Sequence, residues 1–176
     1  MKMVVLVGSM REGNSLYVAN KIKDAYTDAK IFKLGGNIQY CTGCLCCDET
    51  HECVIRDDMD VILPAIKEAD VVAIVTPVRY SLMSGDVKVF IDRLNPTAVS
   101  EDICGKKLLA IAIGQTTKED GTIQDALKAI EMFANNAALE YLGGYPIYEC
   151  YGADEVEANE KIVSNAIAWI KEIVEQ

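Results

Sequence analysis

The stretch MVVLVGSMREGNS at residues 3–15 decides the fold, because an apolar run passes directly into a loop rich in glycine and hydroxyl groups. The run Met3–Val7 contains no polar side chain, which is typical of a strand that is covered on both faces of a sheet. The loop Gly8–Ser15 ends where a helical pattern of apolar residues begins. A buried strand, a loop and a helix in this order predict the first unit of an alternating α/β domain.

The same alternation continues along the chain. Four further runs rich in valine, isoleucine and leucine predict strands at Lys30–Leu34, Val71–Val75, Lys107–Ile113 and roughly Tyr141–Tyr148. Five strands that alternate with five amphipathic segments predict an α/β three-layer sandwich around one parallel sheet, and the flavodoxin-like order 2-1-3-4-5 is the simplest solution. Pro64 lies inside the second amphipathic segment, so it is expected to kink that helix or to delay its start.

Length, composition and charge limit the possible functions. The 176 residues fit one domain, residues 1–176, with an irregular cysteine-rich loop at 35–57. The formal net charge of −10 argues against binding to nucleic acid or to an anionic membrane, because both are negatively charged. No apolar run approaches the roughly 18 residues of a membrane span, and the N-terminal run is too short for a signal peptide. We therefore expect a cytoplasmic protein.

The loop after the first strand has the composition of an anion site. In a doubly wound sheet, ligands bind at the carboxyl ends of the strands where the strand order reverses, which is where this loop lies. Hydroxyl, amide and guanidinium donors stand in the loop next to a helix N-terminus, and these candidate phosphate ligands are Ser9, Arg11, Asn14 and Ser15. The alternative is a plain turn with a serine or asparagine helix cap. The loops after the third and fourth strands, Thr76–Gly85 and Gly114–Thr117, are expected to form further walls of a pocket for a flat heterocycle with a phosphate tail.

Four closely spaced cysteines lie in the irregular segment, with two, two and five residues between them: Cys41, Cys44, Cys47 and Cys53. Four thiolates at such spacing are typical of a [4Fe-4S] cluster. A structural zinc ion accepts the same four ligands, and a metal-free redox dithiol is a third alternative. Cys46 is an extra thiol that competes with Cys47 as the third ligand. Cys104 and Cys150 stand alone and are expected to be buried packing residues.

Four motifs occur together in the first hundred residues. They are G-S-x-R-x-G-N-S at 8–15, the cysteine segment followed by D-D-M at 57–59, A-D at 69–70 leading to T-P-V at 76–78, and S-G-x-x-K-x-F-I-D-R at 84–93. This combination resembles the NADPH-dependent FMN reductase superfamily. The cysteine spacing is similar to that of its iron–sulfur flavoprotein branch, in which a compact motif of this kind holds a [4Fe-4S] cluster beside FMN.

The resemblance implies two cofactors. It implies that the four residues of the first loop named above hold the FMN phosphate, and that the four spaced cysteines bind the cluster. It also implies which residues line the isoalloxazine ring: Pro77, Val78, Arg79, Tyr80, Gly114, Gln115 and Thr116. Because the flavin carries the chemistry, no catalytic side chain is assigned.

The expected activity is that of an FMN-dependent oxidoreductase. NAD(P)H is expected as the co-substrate, and a small-molecule electron acceptor or a ferredoxin-like donor as the other partner. The resemblance also implies a homodimer or homotetramer. The alternatives are a non-enzymatic flavodoxin-like electron-transfer protein, a flavin reductase-like protein without a metal cluster, and a zinc-stabilised scaffold without flavin.

Overall fold

The computed structural model describes residues 1–175, the side chain of Val99 excepted. Five strands form one parallel sheet in the order β2-β1-β3-β4-β5: β1 Met3–Val7, β2 Lys30–Lys33, β3 Val71–Pro77, β4 Lys107–Ile113 and β5 Glu140–Ile147. The helical segments within these residues are α1 Asn14–Ala25, α2 Cys46–Thr50, α3 Met59–Glu68, α4 Gly85–Asp92, α5 Asn95–Ser100, α6 Thr122–Asn136, α7 Glu155–Ala158 and α8 Glu160–Val174. The predicted fold class and strand order are confirmed.

Side chains that alternate along the strands fill two separate cores. Val4 and Leu6 of β1 pack into a cluster with α3, α4 and α6 on one side of the sheet. Val5 and Val7 pack into a second cluster with α1 and α8 on the other side. Both faces of the sheet are therefore covered, which explains why its strands are apolar without alternation.

Some element boundaries differ from the sequence-based prediction. β3 continues two residues further, to Pro77, and β2 ends one residue earlier, at Lys33. The short helices α2, α5 and α7 were not predicted, and α2 lies within the segment that was expected to be irregular. α2 has no buried residue and is bounded by the left-handed residues Leu45 and His51, so it has no apolar face for a sequence pattern to show.

Pro64 does not delay the start of its helix, whereas the expected kink stays a prediction. α3 begins at Met59 and continues through Pro64 to Glu68. Proline in the second turn removes a single backbone hydrogen bond, and the buried face that includes Met59, Ile62 and Ile66 holds the helix on the sheet. Within residues 1–175, no helix is both long enough and apolar enough to cross a bilayer.

Candidate functional site

A pocket of about 310 Å³ lies at the carboxyl edge of the sheet, between the loops that follow β1, β3, β4 and β5. The eleven residues predicted from the sequence to contact a cofactor all line it: Ser9, Arg11, Asn14, Ser15, Pro77, Val78, Arg79, Tyr80, Gly114, Gln115 and Thr116. Backbone hydrogen bonds continue past the strand ends, from Val78 N to Ile113 O at 2.8 Å and from Gly114 N to Ile147 O at 3.0 Å. The fold brings the predicted residues together, and their contact with FMN stays a prediction.

The first loop leaves β1 through Gly8, which packs closely against the start of α4. A β-carbon at Gly8 would lie 2.5 Å from Val87 Cγ2 and 2.6 Å from Ser84 Oγ. Ser84 caps α4, because its hydroxyl accepts a hydrogen bond from Val87 N. Glycine is therefore required at position 8 for the loop and α4 to meet at the edge of the pocket.

The first turn of α1 forms one end of the pocket through Gly13, Asn14 and Ser15. Gly13 precedes the helix without a side-chain cap, and the first turn contains no acidic residue. The backbone N–H groups of this turn therefore retain the capacity to bind an external anion, and the helix dipole favours negative charge there.

Two arginines add positive charge to the same pocket. Of the four arginines in the sequence, Arg56 and Arg93 form ion pairs with carboxylates. Arg11 and Arg79 both line the pocket, and neither is in an ion pair with another residue of 1–175. In a chain with a net charge of −10, this placement makes the pocket a local site of attraction for an anion.

The Asn14 side chain binds within the protein. Its Nδ2 donates to Gly152 O at 2.8 Å, and its Oδ1 accepts from Val156 N at 3.1 Å. The amide therefore holds the loop after β5 and the first turn of α7 against the first loop. The backbone N–H of Asn14 and the second N–H of its amide remain for the predicted contact with a phosphate.

Replacing Asn14 with alanine should lower the free energy of unfolding by about 1–3 kcal/mol, because the buried N–H of Val156 loses its acceptor. Urea denaturation of the cofactor-free chain measures this change. Asn20→Ala is the matched control, since Asn20 is an exposed residue of the same helix. Equal stability of the two variants would contradict the role assigned to Asn14.

The loop after β5 forms a wall of the pocket that the sequence analysis missed. Cys150, Tyr151 and Gly152 line the pocket, and Cys150 N donates to Gly114 O at 2.9 Å. Cys150 is buried as expected, and burial raises the pKa of its thiol to about 11. The same expectation is wrong for Cys104, which is exposed. The only available signal for this wall was positional, because the loop after a fifth parallel strand lies at the same sheet edge.

A strained turn places an aromatic ring at the rim of the pocket. Arg79 and Leu82 exchange backbone hydrogen bonds of 2.8 and 3.0 Å around Tyr80 and Ser81. Both central residues have positive φ angles, 48° and 63°, which cost of order 1–3 kcal/mol each for residues other than glycine. The Tyr80 side chain is fully exposed. Strain of this kind is typical of ligand-binding segments.

A second cavity, of about 200 Å³, collects the four predicted metal ligands: Cys41, Cys44, Cys47 and Cys53. Cys46 does not line this cavity, and its thiol donates to Cys44 O at 3.9 Å. Hydrogen bonds from the backbone and the thiol of Cys46 lower the pKa of Cys44, whereas the pKa of Cys46 itself is raised by its bond to Cys44. The arrangement favours Cys47 over Cys46 as the third ligand.

The four cysteines can be compared with the ligand requirements of two metal centres. Within residues 1–175, no three cysteine, histidine or carboxylate side chains converge closely enough to hold a single metal ion. A tetrahedral zinc ion needs thiolates about 3.8 Å apart, whereas the cysteines of a [4Fe-4S] cluster bind separate irons and stand further apart. Cys41 Sγ already accepts hydrogen bonds from Gly43 N at 3.4 Å and Asn95 Nδ2 at 3.6 Å. Four cysteine side chains line one cavity, which is the number of thiolate ligands that a [4Fe-4S] cluster needs and also the number that a structural zinc ion accepts.

A buried ion pair lies beside the two ends of the cysteine-rich loop 35–57. The side chains of Arg93 and Asp57 are 1% and 0% exposed and lie 2.5 Å apart. Arg93 also donates to Gln39 O at 2.7 Å and Ile55 O at 3.3 Å, so one guanidinium binds both ends of the segment. Asp57 accepts further hydrogen bonds from the backbone N–H groups of Gln39 and Met59. Burial alone would raise the pKa of Asp57, but these hydrogen bonds and the Arg93 charge outweigh it and lower the pKa.

Known proteins share both the sequence pattern and the fold. A model of the NADPH-dependent FMN reductase family matches residues 1–169. An iron-sulfur flavoprotein of Archaeoglobus fulgidus is 33% identical in an alignment of 143 residues that covers 73% of this chain and 63% of that protein, so the chain spans less than two thirds of its length. An iron-sulfur flavoprotein of Methanocaldococcus jannaschii is 31% identical in an alignment of 132 residues that covers 70% of this chain and 68% of that protein. General stress protein 14 of Treponema denticola, solved in complex with FMN, shares the fold with a TM-score of 0.70, 10% identity and coverage of 98% and 99%.

Proposed function

Because the chain belongs to the NADPH-dependent FMN reductase family, we propose that it is an FMN-dependent oxidoreductase that also carries a [4Fe-4S] cluster. The observation that carries the proposal is the pocket at the sheet edge, where an uncapped helix N-terminus and two unpaired arginines meet an exposed aromatic ring. FMN joins an anionic phosphate to a flat ring, and the pocket offers a suitable surface for each part.

The residues of the pocket divide into two groups. At the phosphate end, the first-turn N–H groups of α1, the Ser9 and Ser15 hydroxyls and the Arg11 guanidinium would bind the anion. At the ring end, Pro77 and Val78 offer apolar contact, and Arg79 would stabilise negative charge on a reduced ring. When bound, FMN exchanges electrons singly or in pairs and a [4Fe-4S] cluster exchanges them singly, so the two cofactors would connect donors and acceptors of different kinds.

Arg11→Ala should weaken FMN binding by about 10- to 100-fold, because one charge-assisted hydrogen bond to phosphate is worth roughly 1.5–3 kcal/mol. The affinity for riboflavin, which has no phosphate, should stay the same. Quenching of flavin fluorescence on titration into the cofactor-free protein measures both affinities. Arg56→Ala is the matched control, since Arg56 is exposed and paired only with Glu52 and Asp60.

Two results would contradict this assignment. One is a wild-type protein that binds riboflavin as tightly as FMN, because the pocket would then have no phosphate end. The other is an equal loss of FMN and riboflavin affinity in Arg11→Ala, because the arginine would then support the pocket and not the phosphate.

We propose NAD(P)H as the electron donor, with a ferredoxin-like protein as an alternative donor and a small molecule as the acceptor. Anaerobic mixing with NADH or NADPH should bleach the flavin absorbance, and sustained nucleotide oxidation should require an added acceptor such as a quinone.

A flavodoxin-like electron carrier is the second candidate, because the net charge of −10 favours docking to basic partners. Reduction by a protein donor without turnover of either nucleotide would support the carrier.

The proposal includes a homodimer or homotetramer. Three exposed apolar side chains near the pocket support it, since Tyr80, Leu82 and Tyr151 are each more than half exposed in the single chain. Light scattering during size-exclusion chromatography gives the number of chains directly.

A further inference from the structure

Arg93 has one polar atom that the buried ion pair leaves free. Nη1 and Nη2 donate to Asp57 and to the backbone oxygens of Gln39 and Ile55. Nε is buried and has no hydrogen-bond partner in the part of the chain that the structure describes. A buried N–H without an acceptor destabilises a fold, so an acceptor is expected at this position when the protein carries its full set of ligands.

The free Nε belongs to a side chain that lines the cysteine cavity. Arg93 and Cys53 both form part of its wall. Burial would lower the pKa of Arg93, but the hydrogen bonds with Asp57 and the attraction of the neighbouring Cys53 sulfur outweigh it and raise the pKa. The guanidinium is 1% exposed and held by its Nη atoms, so its position is fixed independently of any metal.

We propose that Arg93 Nε donates a hydrogen bond to the Cys53 sulfur when Cys53 is a cluster ligand, which makes Arg93 a positioning residue for the metal centre. This inference rests on the proposed cluster. A donor to a ligand sulfur stabilises the reduced, more negative state of a cluster, so Arg93 raises its reduction potential. It also fixes the orientation of Cys53, which slows the loss of iron.

The role requires arginine and not only a positive charge. Lysine at position 93 would keep a cation beside Asp57, but its single nitrogen would not bind the carboxylate, the two backbone oxygens and a sulfur at once. Arg93→Lys therefore separates the hydrogen bond to sulfur from the charge.

The test uses anaerobically purified, cluster-loaded protein. Arg93→Lys should bind iron but show a more negative reduction potential and about tenfold faster transfer of iron to a chelator. Asn95→Ala is the matched control, because it removes an exposed N–H donor to Cys41 Sγ at 3.6 Å, and its effect on both quantities should be smaller. A potential and a chelation rate equal to those of the wild type in Arg93→Lys would overturn the inference.

A second measurement needs no variant, so it decides the question even where Arg93→Lys fails to fold. In wild-type protein labelled with ¹⁵N at arginine Nε, the electron spin echo of the reduced cluster should show coupling to one ¹⁵N nucleus. A loaded cluster without this coupling overturns the role of Arg93 alone. A wild-type protein that binds no iron overturns the proposed cluster, and the inference with it.

Discussion

Replacing Cys44 with alanine should reduce the iron content of anaerobically purified protein from about four atoms per chain to background, while FMN stays bound. Cys44 lines the cysteine cavity and is the cysteine whose pKa the surrounding hydrogen bonds lower, so it is prepared to act as a thiolate ligand. The pocket at the carboxyl edge of the sheet shares no lining residue with this cavity. Iron, sulfide and flavin analysis of the same sample measures both cofactors.

Two other cysteines provide controls for this result. Cys104→Ala should keep the iron content of the wild type, since Cys104 is exposed and lies outside the cavity. Cys46→Ala should also keep iron, because Cys46 does not line the cavity. Loss of iron in Cys46→Ala together with its retention in Cys47→Ala would make Cys46 the third ligand and reverse the present assignment.

Asp57→Ala should lower the free energy of unfolding by about 3–5 kcal/mol, because it leaves the buried Arg93 cation without a counter-charge. Urea denaturation of the cofactor-free chain measures the change. Asp60→Ala is the matched control: Asp60 accepts from Arg56 at an exposed position, and its loss should have no measurable effect. Equal stability of the two variants would refute the importance of the buried pair.

The same pair should make stability depend on pH at the acid end. The folded state holds the pKa of Asp57 below its ordinary value of 3.8. The stabilisation is therefore complete above about pH 4 and is lost as the pH falls through the lowered pKa of the folded state. The difference in unfolding free energy between the wild type and Asp57→Ala should shrink below about pH 4.

The fold could be predicted because its main signals are local. Each buried strand is a continuous apolar run such as Met3–Val7, and each long helix has an apolar face that recurs every three or four residues. The alternation of strands and helices along the chain then restricts the sheet to few possible topologies. The short helix α2 could not be predicted, because an exposed single turn has no apolar periodicity.

The candidate site was predictable only where it lies next to a strand end. The loops after β1, β3 and β4 follow directly from the strand order, whereas the contact of Asn14 with Gly152 and Val156 joins residues that are 138 and 142 positions apart. Arg93 gave a weaker signal: it stands three residues after the buried Phe90, where an apolar side chain is the usual occupant. A charge on the apolar face of a helix indicates a buried partner, but the sequence does not identify that partner as Asp57.

The two hydrogen bonds of the Asn14 side chain also have a consequence for biosynthesis. The ribosome adds the backbone groups that the Asn14 amide binds 138 and 142 residues after Asn14 itself. A nascent chain that still lacks residues 152–156 contains the loop Gly8–Ser15 but not the pocket wall that binds to it. Because translation adds roughly 5–20 residues per second, several seconds separate the two parts. A flavin bound in this pocket would therefore be held by the complete wall only after residues 152–156 have docked on the first loop.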